Sequence, residues 1–451
     1  MTAQAVSAST KEHYPPPFMQ WLTVGVLFIL YIRSLADRYL IALLVEPIKA
    51  DTGMSDFEIS LLQGAAFAVL YCICAIPVGL ALDRFSRRWV LFACVAVWSL
   101  GAAGCGLVIS FAGLAVMRSL VGAGEAGFST GAYSIVGDSF PPERVSFAMS
   151  IFVMGGVMGA GIVFLLGGPL VAVILDGGVS HWPGMSGFAP WQQAFIVTGV
   201  PGVLMAFLVF LFREPSRRRK PAAAGAQQGT GYGEALRFIR THWKVYTAIF
   251  LGFGLAYTST IGLQLWLPAF FARTHGWDPK EIGFFLGIAQ IAGAMSLPVH
   301  GWIVDGLYKR GWHDAHLLWC IVTVVLAIPC GVAILLVPSP WVAVVCFGLY
   351  MTCILSTASM GPAATQVVTP PDLRGRASAI YVLFTGLIGM AIGPALVGWI
   401  TDSVLGDPMK IGISLMILVV CMLSLVIVLF AFGRAQMRTL MQMNQAAAAT
   451  A

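Results

Sequence analysis

The sequence predicts an all-α membrane protein of twelve transmembrane helices arranged as two six-helix bundles. Composition, the recurrence of long apolar runs and an echo between the two halves carry that expectation. Of 451 residues 58% are apolar and only 10% charged, whereas a soluble chain is about one-quarter charged because it must wet its outer surface. Apolar stretches recur from Phe18 to Gly433 with short polar breaks. Lipid is therefore the solvent for most of this surface.

A spanning helix needs about 20 apolar residues, and twelve segments qualify. They begin near Met19, Phe57, Trp89, Phe111, Ser146, Gln192, Val245, Glu281, Leu317, Val342, Ala377 and Ile411. The first carries Arg33, Asp37 and Arg38 in its middle, and no small-residue cleavage site follows a short apolar core, so it reads as a retained helix and not a signal peptide. The expected layout is an N-terminal tail over 1–17, a first bundle over 18–212, a linker over 213–243, a second bundle over 244–433 and a C-terminal tail from 434 to 451. The linker opens with Arg217, Arg218, Arg219 and Lys220, continues through Pro221 and Gly229, and reads as a basic, flexible segment near anionic headgroups.

Nineteen of the 26 Lys and Arg fall on the side that holds both termini, against four on the other side (Lys49, Arg273, Lys280 and Lys410) and three inside spans. The positive-inside rule then puts both termini in the cytoplasm, for a multi-pass protein of a bacterial-type inner membrane. The net charge of +6 follows from this bias, so nucleic acid is not an expected partner. The nine cysteines sit in apolar segments without a C-x-x-C pair and read as small core hydrophobes, with no disulfide framework, metal site or cofactor indicated.

The halves echo each other. The second segment ends with Pro77, Val78 and Gly79, then Asp83, Arg84, Arg87 and Arg88; the eighth ends with Pro298, Val299, His300 and Gly301, then Asp305, Lys309 and Arg310. The Gly-to-Asp spacing is four in both. After the fourth and tenth segments, Pro141-Pro142-Glu143-Arg144 matches Pro370-Pro371-Asp372-Leu373-Arg374. Two bundles related by duplication explain both echoes.

The loop G-x-x-x-D-R-x-x-R-R from Gly79 to Arg88 resembles the signature loop of the major facilitator superfamily, and the likeness extends over nearly the whole chain. It implies the major facilitator fold, in which Gly79, Asp83, Arg84, Arg87 and Arg88 with Gly301, Asp305, Lys309 and Arg310 form a cytoplasmic latch that holds the outward-facing state. A narrower likeness lies in Asp37-Arg38-Tyr39, in Arg118-x-x-x-Gly122-x-Gly124-Glu125-Ala126, in Thr258-Ser259-Thr260-Ile261-Gly262 with Leu265-Trp266-Leu267-Pro268, and in Asp138-Ser139-Phe140-Pro141-Pro142-Glu143-Arg144. Together these resemble the spinster lipid transporters in a bacterial form. The tenth segment, nearly free of charge, departs from that pattern.

Two strings imitate enzymes. Gly122 to Gly127 spells G-x-G-x-x-G and Gly127 to Gly131 spells G-x-S-x-G, but a dinucleotide fingerprint needs a preceding strand and a nucleophile elbow a strand-to-helix turn. Small residues here, in the fifth segment and in the eleventh instead mark close helix contact in lipid. No span is expected to pair Ser or Cys with His or Asp at helical spacing on a cavity face, so the chain is not expected to be an enzyme. His300 and His316, near helix ends, read as interface anchors.

The charges inside the spans carry more information, since each costs about 2.5 to 3.5 kcal/mol at a helix centre. Arg33 and Asp37 share a helix face, as do Arg118 and Glu125. Arg38 points elsewhere and could brace a neighbouring helix. Three arginines face two carboxylates, all in the first half. The second half offers Gln264, Gln290, Gln366, hydroxyls such as Thr260, and the aromatics Tyr257, Trp266, Tyr381 and Phe384.

A cavity cationic on one wall and aromatic on the other suits an amphiphile with an anionic head. Arg33, Arg38 and Arg118, with Tyr257, Thr260, Gln264, Trp266, Tyr381 and Phe384, are the expected substrate contacts, because a guanidinium fits a phosphate through its planar fork. Asp37 and Glu125 are the expected carriers of coupling protons, with Arg118 mediating between them and the substrate. The expectation is a monomeric, proton-coupled transporter of lysophospholipid-like or sphingoid-phosphate-like amphiphiles, the lipid class being what the spinster likeness implies. A transporter of drugs or small organic anions is the alternative, since a wet cationic wall also fits a small carboxylate.

Overall fold

The computed structural model describes residues 14–217, 232–370 and 373–450. The basic run Arg218 to Lys220, Pro221, Gly229, Asp372 and most of the N-terminal tail lie outside the described residues. What is described is helical, with no strand among the described residues.

Among the described residues twelve spans follow in order. They are α1 (Pro17–Leu43), α2 (Asp56–Arg84), α3 (Arg87–Cys105), α4 (Phe111–Glu125 then Phe128–Ser139), α5 (Pro142–Leu175), α6 (Pro190–Leu211), α7 (Trp243–His275), α8 (Pro279–Lys309), α9 (Ala315–Leu336), α10 (Pro340–Val368), α11 (Arg374–Trp399) and α12 (Ile411–Thr450). Eleven are long and apolar enough to cross a bilayer; α4, interrupted at Ala126 and Gly127 and carrying Arg118 and Glu125, is the twelfth. Local chemistry sets their starts. Ser55 and Glu58 form a capping box on α2, Asp278 and Glu281 another on α8, and the Ser110 side chain accepts from the Gly113 amide at the start of α4. At the end of α7, Gly276 takes a φ of 67°, which ends the helix at little steric cost.

Tyr232–Thr241 is helical within the segment expected to be a linker, and α12 continues as one helix past residue 433. Large apolar side chains such as Ile76, Leu166, Leu204 and Trp302 are exposed, as a lipid-facing surface requires. α7, by contrast, is buried along most of its length. It forms the inner wall of the second half.

Both α1 and α12 have their chain ends at one end of the molecule, here called the tail end; the opposite end is distal. The two halves meet in the distal part. There α5 and α8 touch backbone to backbone: a Cβ on Gly283 would lie 2.3 Å from the carbonyl oxygen of Phe164, and one on Gly168 2.4 Å from that of Pro279. In the same way α2 meets α11, where a Cβ on Gly64 would lie 2.4 Å from the Met390 oxygen. Only glycine permits such approaches. Towards the tail end α5 and α8 part, leaving an apolar recess of about 800 Å³ lined by Met149, Met154, Met158, Met295 and Pro298 among others.

Candidate translocation site

Between the halves lies a cavity of about 340 Å³. Its first-half wall is built by α1 and α5 and includes Tyr31, Arg38, Tyr39 and Gly156; its second-half wall includes Phe253, Tyr257, Thr260, Gln264, Gln290 and Tyr381. Val153 and Val157 of α5 line both this cavity and the methionine-rich recess, so the two spaces adjoin. A polar chain crosses the roof: the Tyr39 hydroxyl donates to Gln264 Oε1 at 2.9 Å, and Gln264 Nε2 donates to Gln290 Oε1 at 3.0 Å.

The sequence-expected contacts separate into two groups. Arg38, Tyr257, Thr260, Gln264 and Tyr381 line the cavity. Trp266 stands behind it, fully buried, with its indole N–H on the Pro394 carbonyl at 3.2 Å. Phe384 is 41% exposed and packs near Phe250, outside the lining. Arg33 and Arg118 also lie away from the lining, inside the first bundle. Tyr31 and Thr385 line the cavity without having stood out in the sequence; Tyr39, which also lines it, was noted only within the string Asp37-Arg38-Tyr39 and not as a contact.

The buried charges form a compact set. Arg33 pairs with Asp37 at 2.6 Å, one helical turn on, and donates to the Thr198 carbonyl of α6 at 2.8 Å. Arg38 reaches across to α4 and pairs with Glu125. The shared face of Arg118 and Glu125 does not make them partners: Arg118 donates to the carbonyls of Asp37 at 2.7 Å and Leu62 at 3.1 Å. Two pairs among five charges leave the surplus positive charge on Arg118, which has no carboxylate partner among the described residues. Asp37, Arg118 and Glu125 are 1%, 1% and 4% exposed, so Arg38 is the charge of this set that meets the cavity.

An ion cluster closes the distal end. Arg273, at the end of α7, holds Asp56 through both terminal nitrogens at 2.7 Å and Glu46 through Nε at 2.7 Å, while Lys49 also pairs with Asp56. The Phe57 amide donates to Asp402 after α11 at 2.5 Å. These contacts tie the second half to the first. In the sequence Arg273 stood out only as one of the few cations on its side.

At the tail end the corresponding contacts stay within one half. Arg87 is buried and holds Asp138 at 2.5 Å, Glu214 at 3.2 Å and the Pro215 carbonyl at 2.7 Å, and Arg88 lies over the Phe210 ring. Arg217 donates to the carbonyls of Leu82, Asp83 and Phe85. Asp83, Arg84, Asp305, Lys309 and Arg310 are exposed, and among the described residues their side chains form no ion pair. Gly79 and Gly301 have open space beside them. In the second half Asp314 binds Arg434 at 2.6 Å and Arg438 at 2.9 Å. Burial tends to raise the Glu214 carboxyl, but the Ser86 hydroxyl and the Arg87 amide and guanidinium outweigh it and hold Glu214 below its ordinary value. Asp314 is held low in the same way, Arg438 and Arg434 overcoming its burial.

His300 is not the interface anchor its position suggests. It is buried, its Nδ1 accepts from the Trp319 indole at 3.0 Å and its Nε2 bonds the Thr352 carbonyl at 2.8 Å, tying α8 to α9 and α10.

Residues 27–394 match the profile of the Major Facilitator Superfamily. The chain is 30% identical over 414 residues, 90% of each chain, to a protein of Mycolicibacterium smegmatis named an MFS-type efflux pump. It is 26% identical over 399 residues to Protein spinster of Drosophila melanogaster, covering 86% of this chain and 62% of that one. Among solved structures, a bacterial homologue of the human lysosomal transporter spinster, inward-facing and unoccupied, matches with a TM-score of 0.82 at 23% identity over 95% of this chain and 99% of that one. A second structure, of a bacterial homologue of that transporter, inward-facing and occupied, matches with a TM-score of 0.76 at 22% identity over 95% of this chain and 98% of that one. With its two groups of six helices, its central cavity and the match over most of its length, this chain belongs to the major facilitator superfamily of membrane transporters.

Proposed function

We propose that this protein is a proton-coupled secondary active transporter of lysophospholipid-type or sphingoid-phosphate-type amphiphiles, working by alternating access as a monomer in the inner membrane with its tail end in the cytoplasm. One observation carries the substrate class. The central cavity has a cationic edge at Arg38 and adjoins an apolar, methionine-lined recess through Val153 and Val157, so a head and a chain have separate places. Flexible methionines suit chains of varying shape.

In this reading the bodies 18–212 and 244–433 rock against each other, joined by 213–243, and the described state opens inward. The Arg273 cluster is then the closed outer gate. An anionic head that takes Arg38 removes the counter-charge of Glu125, which takes up a proton. Asp37 is the second carrier, and Arg118, the surplus cation, mediates between the two carboxylates and the substrate. The tail-end motif residues Asp83, Arg84, Asp305, Lys309 and Arg310 meet across the halves only in the outward-facing state, which agrees with their exposure here.

The test is uptake into proteoliposomes of lysolipids, sphingosine phosphate and small organic anions, with and without an imposed pH gradient. Gradient-stimulated uptake of the lipids is expected, falling at least roughly tenfold in Asp37→Asn and Glu125→Gln while exchange without a gradient persists. Full gradient-driven flux in both variants would remove the coupling role. The similarity to a protein named an efflux pump favours a second reading, transport of drugs or small organic anions. Uptake of those alone would establish it.

A further inference from the structure

Two of the buried arginines, the one paired with Glu125 and the one without a carboxylate partner among the described residues, share one aromatic ring. The guanidinium carbon of Arg38 lies 4.5 Å from the centroid of Phe67, and that of Arg118 lies 5.9 Å from the same centroid. Phe67 is 1% exposed and stacks on Tyr71 with centroids 5.6 Å apart. Its backbone is clamped, because Gly122 of α4 comes so close that a Cβ there would lie 2.2 Å from the Phe67 carbonyl oxygen. In this state the backbone that carries the ring is held close against α4, and two guanidinium groups lie over the ring.

The surroundings explain why that matters. Phe67 lies one turn after the break in α2 at Gly64, where α2 touches Met390 of the other half. That broken segment also presents the Leu62 carbonyl to Arg118 and the Ala66 carbonyl to Ser119. Glu125 takes Arg38 on one oxygen, and its other oxygen is buried without a hydrogen-bond partner among the described residues. Arg118 likewise has one buried terminal nitrogen without one. The side chains that face Glu125 are Arg38, Asp37 and Tyr31 from α1, Tyr71 from α2, Arg118 from its own helix and Tyr257 from α7.

We propose that Phe67 is a positioning residue that decides which arginine serves Glu125: its ring holds Arg38 on the carboxylate and keeps Arg118 on the carbonyls of Asp37 and Leu62. The electron-rich face of a ring attracts a guanidinium most strongly where water is excluded. Movement of α2 against α11 shifts the ring and redistributes the two cations, linking the rocking of the halves to the protonation of Glu125. This deepens the proton-coupling reading above and rests on it.

The experiment replaces Phe67 in the full-length protein by mono-, di- and trifluorinated phenylalanine, which weakens the ring's attraction for cations stepwise at nearly constant shape. Phe67→Leu removes it entirely. The infrared carboxyl band of Glu125, assigned by its loss in Glu125→Gln, is followed against pH in each protein. A midpoint that moves in graded steps with fluorine number, by about one pH unit over the series, is expected. A midpoint unchanged across the fluorinated series, with Phe67→Leu losing only thermal stability, overturns the proposal and leaves Phe67 a packing residue. The band titrates whether or not cargo moves, so a wild-type protein without gradient-driven uptake refutes the coupling reading while this measurement still decides the role of Phe67.

Discussion

At the scale of single residues, the pairing of the buried charges decides both stability and chemistry. Glu125 is 4% exposed and its ion-pair partner is Arg38. Arg38→Met leaves a buried carboxylate alone, and a loss of roughly 3–5 kcal/mol is expected, read as a lowered thermal midpoint in detergent. Arg38→Met with Glu125→Gln removes both charges and should recover most of that loss. Arg118→Met with the Arg38–Glu125 pair left intact should cost less, since it strips donors from two carbonyls and leaves no carboxylate bare. The sequence showed which charges lie within spans, because an ionised group stands out in an apolar run. It put Arg33 beside Asp37 on one face, as the structure has them, but it did not show the partner of Glu125. Seven residues of helix separate Arg118 from Glu125 by about 10.5 Å, too far for a direct bond, and the nearer cation came from another helix. Phe67 was invisible for a similar reason: one more phenylalanine in an apolar segment gives no signal until two guanidiniums lie over it.

At the scale of elements, the distal contacts hold the present state. Gly168 and Gly283 let α5 and α8 meet backbone to backbone, so Gly283→Val should wedge them apart and favour opening at the distal end. Arg273→Gln should act in the same direction by releasing Asp56 and Glu46. Distances between spin labels on α5 and α8 would report both, with a longer distal separation and a shorter tail-end one; unchanged distributions would remove the gate role of Arg273. The spans themselves were legible, since apolar length alone specifies a helix in lipid. Interruptions within them were less so. The break in α4 falls at Ala126 and Gly127, inside a run of small residues that reads equally well as tight packing, and the break in α2 at Gly64 depends on a neighbour from the other half.

At the scale of the whole molecule, the tail-end braces give the fold a dependence on acid. Glu214 and Asp314 lie below their ordinary values of 4.5 and 3.8, so the stabilisation each supplies is complete above those values. It drains away as the pH falls through the lowered ones. A thermal midpoint that drops below about pH 4.5 is expected, with a flatter profile in Glu214→Gln and Asp314→Asn. The division into two groups of six helices was legible in the matching Gly-to-Asp spacings and Pro-Pro echoes. Which end is closed was not, because that depends on Arg273, Glu46 and Asp56, distant in sequence, arriving at one place.

The methionine-lined recess lies on the flank where α5 and α8 part, and Met154 and Met295 on it are exposed. A cargo that arrives by that flank is drawn from the leaflet, and its thermodynamic activity is its mole fraction among the surrounding lipids. Diluting a fixed amount of lysolipid with extra carrier phospholipid in the same vesicles should slow transport in proportion, whereas doubling the aqueous volume should leave the rate as it was.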